Sequence, residues 1–285
     1  MKRTETSAFL LLFYRKRTTS FLANIYKASI TGDSKDIHRA RLDAKKIMAL
    51  YDFFDLLEPD SRWQRKRGRI FRPLFRSAGK IREIQVNYLL LETPALRDLV
   101  PAEFTRWLRH EEQSGTRKFI KTIKKFDDGE LEELEKEVRK ICTGSALRKY
   151  RSKSRKFLEK HKNTMARILA TELTDKSIHE VRKILKAMST ISSIVYSLKP
   201  ATDLDRIISA MNKTEMLIGE WHDRVVLEAA IDRFMAMNVI EAGAPGESMA
   251  GLKEEVVAQK LNYVQHFLPE VRMVIKAVEE QTPLR

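Results

Sequence analysis

With one cysteine, Cys142, among 285 residues, the chain has no intrachain disulfide to form and no cysteine-based zinc site. A solitary thiol fits a reducing compartment. Glycine and proline are sparse, at ten and eight, and β-branched residues do not gather in alternating runs, which argues against a sheet-rich fold. Long apolar runs are missing too. The segment Phe9-Leu10-Leu11-Leu12-Phe13 is far too short to span a bilayer. Arg15-Lys16-Arg17 follows it without a small-residue cleavage pattern, so it reads as the core face of a first helix and not as a secretory signal. The usual signatures of catalysis are absent as well: no GxxxxGKS/T loop, no glycine-rich dinucleotide fingerprint, no HExxH. No tight carboxylate cluster offers a magnesium site, and no nucleophile, base and orienting group form a supported set. The expectation is a non-enzymatic protein with no catalytic residue, no metal and no cofactor.

What is abundant is positive charge. Lysine and arginine number 54 against 39 aspartates and glutamates, a formal net charge of +15 at pH 7. Such a balance favours an acidic partner, whether nucleic acid, anionic lipid or polyphosphate. Leu, Ile, Val and Phe recur throughout, so the chain is expected to fold around a sizeable core.

Apolar spacing predicts helices nearly everywhere. A first covers about 5–29. Thr31-Gly32-Asp33-Ser34 then breaks the chain and caps a second, which runs from about 35 to Leu57 and ends at Pro59. Residues 61–91 have a helical pattern with Pro73 as a kink or junction, and Pro94 and Pro101 bracket a connection. Mixed-charge helices fill 102–141, broken near Asp127-Asp128-Gly129, and a basic helix covers about 146–172. A second set lies at 176–198, at 203–240 with a break near Gly219, and at 249–279 after the Gly243-Ala244-Pro245-Gly246 turn.

One constellation occurs twice. His38, Arg41 and Lys45 form an H-x-x-R-x-x-x-K set, and His179, Arg182 and Lys186 repeat it 141 positions later. Gly79-Lys80-Ile81-Arg82-Glu83-x-x-Val86 is echoed by Gly219-Glu220-Trp221-His222-Asp223-x-x-Val226 at an offset of 140. Two signals with nearly one offset indicate an internal duplication. The expected architecture is all-α, two helical bundles packed with pseudo-two-fold symmetry, one in 1–173 and one in 174–285. A single continuous helical domain built from the same repeats is the alternative.

On a helix, positions i, i+3 and i+7 share a face, so each histidine–arginine–lysine set falls within a sector of roughly 60°. Ile47, Leu50, Phe54 and Leu57 point the opposite way on the first helix, as do Val181, Ile184, Met188, Ile191, Val195 and Leu198 on the second. Both histidines therefore stand off the core stripe. That position, beside an arginine and repeated, points to anion contact and not to packing. At its ordinary value such an imidazole is mostly neutral at pH 7 and gains charge on mild acidification.

Nine basic residues and no acidic one lie between Arg62 and Arg82. Arg62, Arg65, Arg69, Arg72 and Arg76 step by three or four and would draw a stripe of about four turns if Pro73 only bent the helix. A solvated face would mix signs, so a polyanion site is the better reading. A second concentration follows Ser145, where Arg148, Arg151, Arg155 and Lys162 share one face. Arginine's rigid fork suits bidentate phosphate contact.

The segments His38–Lys46, H-R-A-R-L-D-A-K-K, and His179–Lys186, H-E-V-R-K-I-L-K, resemble the conserved histidine α-helical domain (CHAD) family. Gly79–Val86 and Gly219–Val226 are similar to that family's later G-x-x-R-D-x-D-V-like segment, and the resemblance runs from the first helix to about residue 280. It implies duplicated antiparallel four-helix bundles around a basic groove that binds inorganic polyphosphate. It places His38, Arg41 and Lys45 on the first binding helix, His179, Arg182, Lys183 and Lys186 on the second, and Arg82 on the later segment. Glu83 stands where the family has aspartate, His222 replaces the second arginine, and Lys46 is matched by Ala187. With the flanking basic runs, these departures weight the binding charge toward the first half.

The expected function is thus non-catalytic polyphosphate binding, in the cytoplasm and at polyphosphate granules, as a targeting or scaffolding module without integral membrane association. RNA or single-stranded DNA backbone binding is the alternative. It calls for accessible aromatic platforms, and Trp63, Trp107 and Trp221 are too scattered to make one.

Overall fold

The computed structural model describes residues 3–144, 149–238 and 246–280, and all of its regular structure is helical. The first two helices, α1 (Arg3–Thr31) and α2 (Ser34–Leu57), form a hairpin. Gly32 makes the turn with φ +64°, a left-handed conformation at which a side chain is strained, and an added Cβ would also press Thr116 Cγ2 at 3.3 Å. Asp33 caps α2 by accepting the Lys35 amide at 2.6 Å.

The path from 58 to 72 corrects the expected arginine stripe. Arg62 takes φ 51°, α3 is the short Trp63–Lys66, a 3₁₀ turn spans Gly68–Ile70, and α4 (Arg72–Leu91) starts afresh. Pro73 sits in the first turn of α4, where its missing N–H costs nothing, so it begins a helix and does not bend one. The Asp55 carboxylate fixes this corner by accepting the Trp63 and Gln64 amides.

After α5 (Pro94–Arg97) come α6 (Ala102–Ile123), α7 (Gly129–Thr143) and α8 (Tyr150–Leu169). Helix α9 (Asp175–Leu198) opens on a Thr174–Ser177 capping box, the Ser177 amide donating to Thr174 Oγ1 at 3.2 Å and the Thr174 amide to Ser177 Oγ at 2.8 Å. The expected break near Gly219 does not occur. Helix α10 (Thr202–Asn238) runs through it for 37 residues, because Met211, Thr214, Ile218 and Trp221 bury a continuous stripe that outweighs the roughly 1 kcal/mol helix penalty of one glycine. Helix α11 (Gly246–Glu280) closes the chain and tolerates Pro269. Most of the Gly243–Gly246 turn lies outside the described residues.

Three apolar clusters hold the helices. The first joins α1, α2, α3, α4 and α7, and takes Ile191, Val195 and Leu198 from α9 and Leu204 from α10. Cys142 is buried here, and burial pushes its thiol up to about 12, which leaves it unreactive. The second joins α9, α10 and α11 with Leu158 and Met165 of α8. A third bridges the ends of α4, α5 and α6 to α10 and α11 through Phe104, Leu108, Leu227, Ile231 and Leu252. Among the described residues no helix is long and apolar enough to cross a membrane.

Candidate functional site

Helices α2 and α9 pack against each other, and each turns its histidine–arginine–lysine face toward a common centre. The charges of the two helices act on one another. Lys186 of α9 is pushed down to about 8 by burial, then by Arg182, Lys45 and Arg41, with Glu215 opposing. Arg41 of α2 is held below its usual value by burial and by Arg82 and Arg182, against Glu83. The two copies therefore share one electrostatic neighbourhood, to which α4 adds Arg82 and Glu83 and α10 adds Glu215, His222 and Asp223.

The histidines are partly buried in this field. His38 is lowered by burial and by Arg82 and Arg41, and His179 by burial, Lys183 and Arg182. His222 drops to about 4, from burial first and then from Arg182, His179 and Lys186. Its ring lies 5.6 Å from that of His179, centroid to centroid. Burial and the neighbouring cations favour the neutral form of all three, and His222, at about 4, stays neutral on mild acidification. All three are neutral at pH 7, with a single N–H each to donate.

Three buried nitrogens here find no hydrogen-bond partner among the described residues: His38 Nδ1, Arg182 Nε and His222 Nδ1. An unpaired buried polar group costs about 1–3 kcal/mol, and like charges about 4 Å apart near a protein surface repel by about 4 kcal/mol. The apolar clusters absorb these costs, since each fully buried aliphatic or aromatic side chain returns about 1.5–3 kcal/mol. What the fold holds together is a set of donors and cations suited to oxyanions.

The two arginines are held differently. Arg41 Nη1 donates to the Phe75 carbonyl at 2.9 Å, and its guanidinium stacks 4.1 Å from the Phe75 ring centroid. Gly79 makes room for it, since a Cβ there would stand 3.0 Å from Nη1. Gly219, its repeat partner, has nothing within 4 Å of such a Cβ. Arg182 faces the carboxylates of Asp223 and Glu215 instead. Asp223 is itself raised by burial and by Glu220, against Arg182 and Arg82.

Lys45 and Lys46 are exposed at the rim, and Lys183 is exposed and paired with Glu180 on its own helix at 3.2 Å. The charges that perturb the central groups come from α2, α4, α9 and α10. Arg62, Arg65, Arg69 and Arg76 take no part in that set and stand exposed from the start of α3 into the second turn of α4. Arg72 is half-buried and spends its guanidinium on the Gln64 carbonyl at 2.6 Å. On α8, Arg151 leans over the Tyr150 ring and Arg155 is exposed, while Arg148 lies outside the described residues. Lys162 is not on a basic face at all: it is buried between Glu159 at 2.7 Å and Glu279 at 3.5 Å.

Sequence reasoning missed Glu215. Its signal was available, because it precedes His222 by seven positions and so shares that residue's helix face. Among the described residues no group of three histidine, cysteine or acidic side chains is arranged to hold a metal.

The fold resembles the crystal structure of the CHAD domain from the plant Ricinus communis, with a TM-score of 0.67 over 96% of this chain and 91% of that one. At 15% sequence identity the likeness speaks to the fold. A search of curated proteins found no match. The CHAD domain family model matches residues 14–232, which is most of the sequence and includes both histidine helices, and the chain belongs to that family.

Proposed function

We propose that this protein binds inorganic polyphosphate without catalysing its synthesis or cleavage, through the cluster that α2 and α9 build together. One observation carries the reading: Lys45 of one copy and Lys186 of the other line the same cavity, and Lys186 is pushed down to about 8 by burial and by cations of both copies, so like charges meet in a partly dry site that an anion would neutralise. In this reading the chain is a duplicated pair of antiparallel four-helix bundles, 1–173 and 174–285, related by pseudo-two-fold symmetry. His38, Arg41, Lys45, Arg82, His179, Arg182 and Lys186 contact successive phosphates. Lys46, Lys183 and the exposed Arg62, Arg65, Arg69, Arg76, Arg151 and Arg155 guide a longer polymer, and Arg72 and Arg148 complete the same two runs. The protein would act in the cytoplasm as a targeting or scaffolding module at polyphosphate granules.

RNA or single-stranded DNA would meet the same charge but needs open stacking surfaces for successive bases. Trp63 and Trp221 are buried, and Trp107 packs between Phe104 and Phe234. The test is a competition titration at one ionic strength, long polyphosphate against single-stranded RNA of matched charge. Polyphosphate is expected to win by about tenfold or more, or about 1.4 kcal/mol. Preference for RNA reverses the assignment, and phosphate release or transfer to ADP by homogeneous protein with magnesium removes the non-catalytic part.

A further inference from the structure

Beside the cationic cluster lies a cavity of about 300 Å³ between α1 and the neighbouring faces of α2 and α9. Its lining is of three kinds. Phe9, Leu10 and Phe13 of α1 and Ile194 of α9 form an apolar wall, with the two phenyl rings 6.5 Å apart and inclined by only 27°. Ser189, Thr190, Ser193 and Ser197 lay a ladder of hydroxyls along α9. The cationic end is made by Lys45, Lys46, Lys186 and Arg17, with Glu215 as the one carboxylate.

Lys45 and Lys186 belong to this cavity and to the central cluster at once, so the two are continuous. A bare phosphate chain is a poor occupant of the remainder. Its oxygens gain nothing from an apolar wall, and Glu215 repels them. Glu215 Oε1 also finds no donor among the described residues, and phosphate oxygens have none to give. A flat group with apolar faces and with N–H or O–H donors at its edges would use all three kinds of lining.

We infer that the cavity takes the nucleoside end of a nucleoside polyphosphate, whose phosphates pass Lys45 and Lys186 into the cluster. The inference rests on the reading of that cluster as a phosphate-chain site. The volume is at the low end of the roughly 300–1,000 Å³ of small-molecule pockets, room for one nucleoside and no track for a run of bases. The base lies against Phe9 and Phe13, the α9 hydroxyls meet its edge, and Glu215 accepts from the ribose.

The test compares adenosine 5′-tetraphosphate with inorganic tetraphosphate on the intact protein, without metal and at one ionic strength. The inorganic ion carries the greater charge, so charge alone favours it. The adenosine compound is nevertheless expected to bind about tenfold tighter, in keeping with one stacked base. Ser193→Phe fills the cavity from an exposed position, and Phe13→Leu keeps bulk but removes the ring. Either folded variant should abolish the adenosine preference and leave inorganic tetraphosphate binding unchanged. Equal or weaker binding of the adenosine compound by the unaltered protein overturns the inference and leaves the phosphate reading standing, as does a preference that survives both variants. Failure of both tetraphosphates and of long polyphosphate to bind removes the two readings together.

Discussion

The first copy of the histidine–arginine–lysine helix is braced, and the second is not. Arg41 is fastened to Phe75 by a hydrogen bond and by stacking, in space left by Gly79. Among the described residues Arg182 keeps a buried Nε without a partner and is balanced by the fields of Asp223 and Glu215. The flanking position differs too, with Arg82 permanently charged in one copy and His222 neutral in the other. The two sets thus match in residue type and spacing, while their surroundings hold one arginine in place and leave the other without a fixed partner.

The strongest way to break that comparison is to neutralise both arginines. Arg41→Gln with Arg182→Gln should weaken long-polyphosphate binding by about a hundredfold or more, since two charge-assisted hydrogen bonds contribute at least about 3 kcal/mol. The single changes should differ in thermal melts taken without ligand. Arg41→Gln lowers Tm because it removes the Phe75 contacts, and Arg182→Gln leaves Tm unchanged or raises it because it removes an unpaired buried donor. Equal shifts of one sign would show that the copies are held alike.

Titration sharpens the contrast. Lys186 sits at about 8, well below an ordinary lysine, so it sheds its proton in the free protein as pH rises past that value. A bound anion draws the proton back, and the complex takes up protons on forming. Affinity should hold near pH 7 and fall about tenfold by pH 9. Lys186→Arg should flatten that profile and Lys45→Arg should not. An unchanged profile in Lys186→Arg would place the titrating group elsewhere.

The smallest expected effect separates the two glycines. Gly219→Ala should stabilise the protein by about 0.5–1 kcal/mol, as an alanine in an open helix position does. Gly79→Ala gains the same helix preference but displaces Arg41, so stability should stay near its starting value while polyphosphate affinity drops about threefold, or about 0.7 kcal/mol. Matching behaviour at both sites would deny Gly79 any part in placing Arg41.

The sequence disclosed what is local. Helices α2 and α9 were legible because caps, apolar periodicity and polar faces are written within a few turns, and the all-α class follows from such segments. Long-range packing decided the rest. Gly219 looked like a break because glycine usually is one, yet its neighbours on α10 are buried on both sides. Pro73 could be a kink or a junction from its pattern and is a junction, at a corner that the carboxylate of Asp55 in the last turn of α2 helps to fix. Lys162 looked like part of a basic face until Glu279 of α11 came beside it. The depressed histidines and Lys186 were hidden for the same reason, since burial and cations brought near by packing set them, and the cavity joins α1 and α2 to α9, which comes much later in the sequence.

The sharing of Ile191, Val195, Leu198 and Leu204 with the first apolar cluster has a consequence for modularity. A duplicated protein can ordinarily be cut at its seam into two units that each retain a shell and an interior. Here the seam runs through an interior. Residues 1–173 alone would present bare hydrocarbon where α9 and α10 should lie, and residues 174–285 alone would lack the α8 side chains Leu158 and Met165. A truncated or proteolysed fragment should aggregate before it displays half a site. The repeat survives as a pattern in the sequence but no longer as a detachable part.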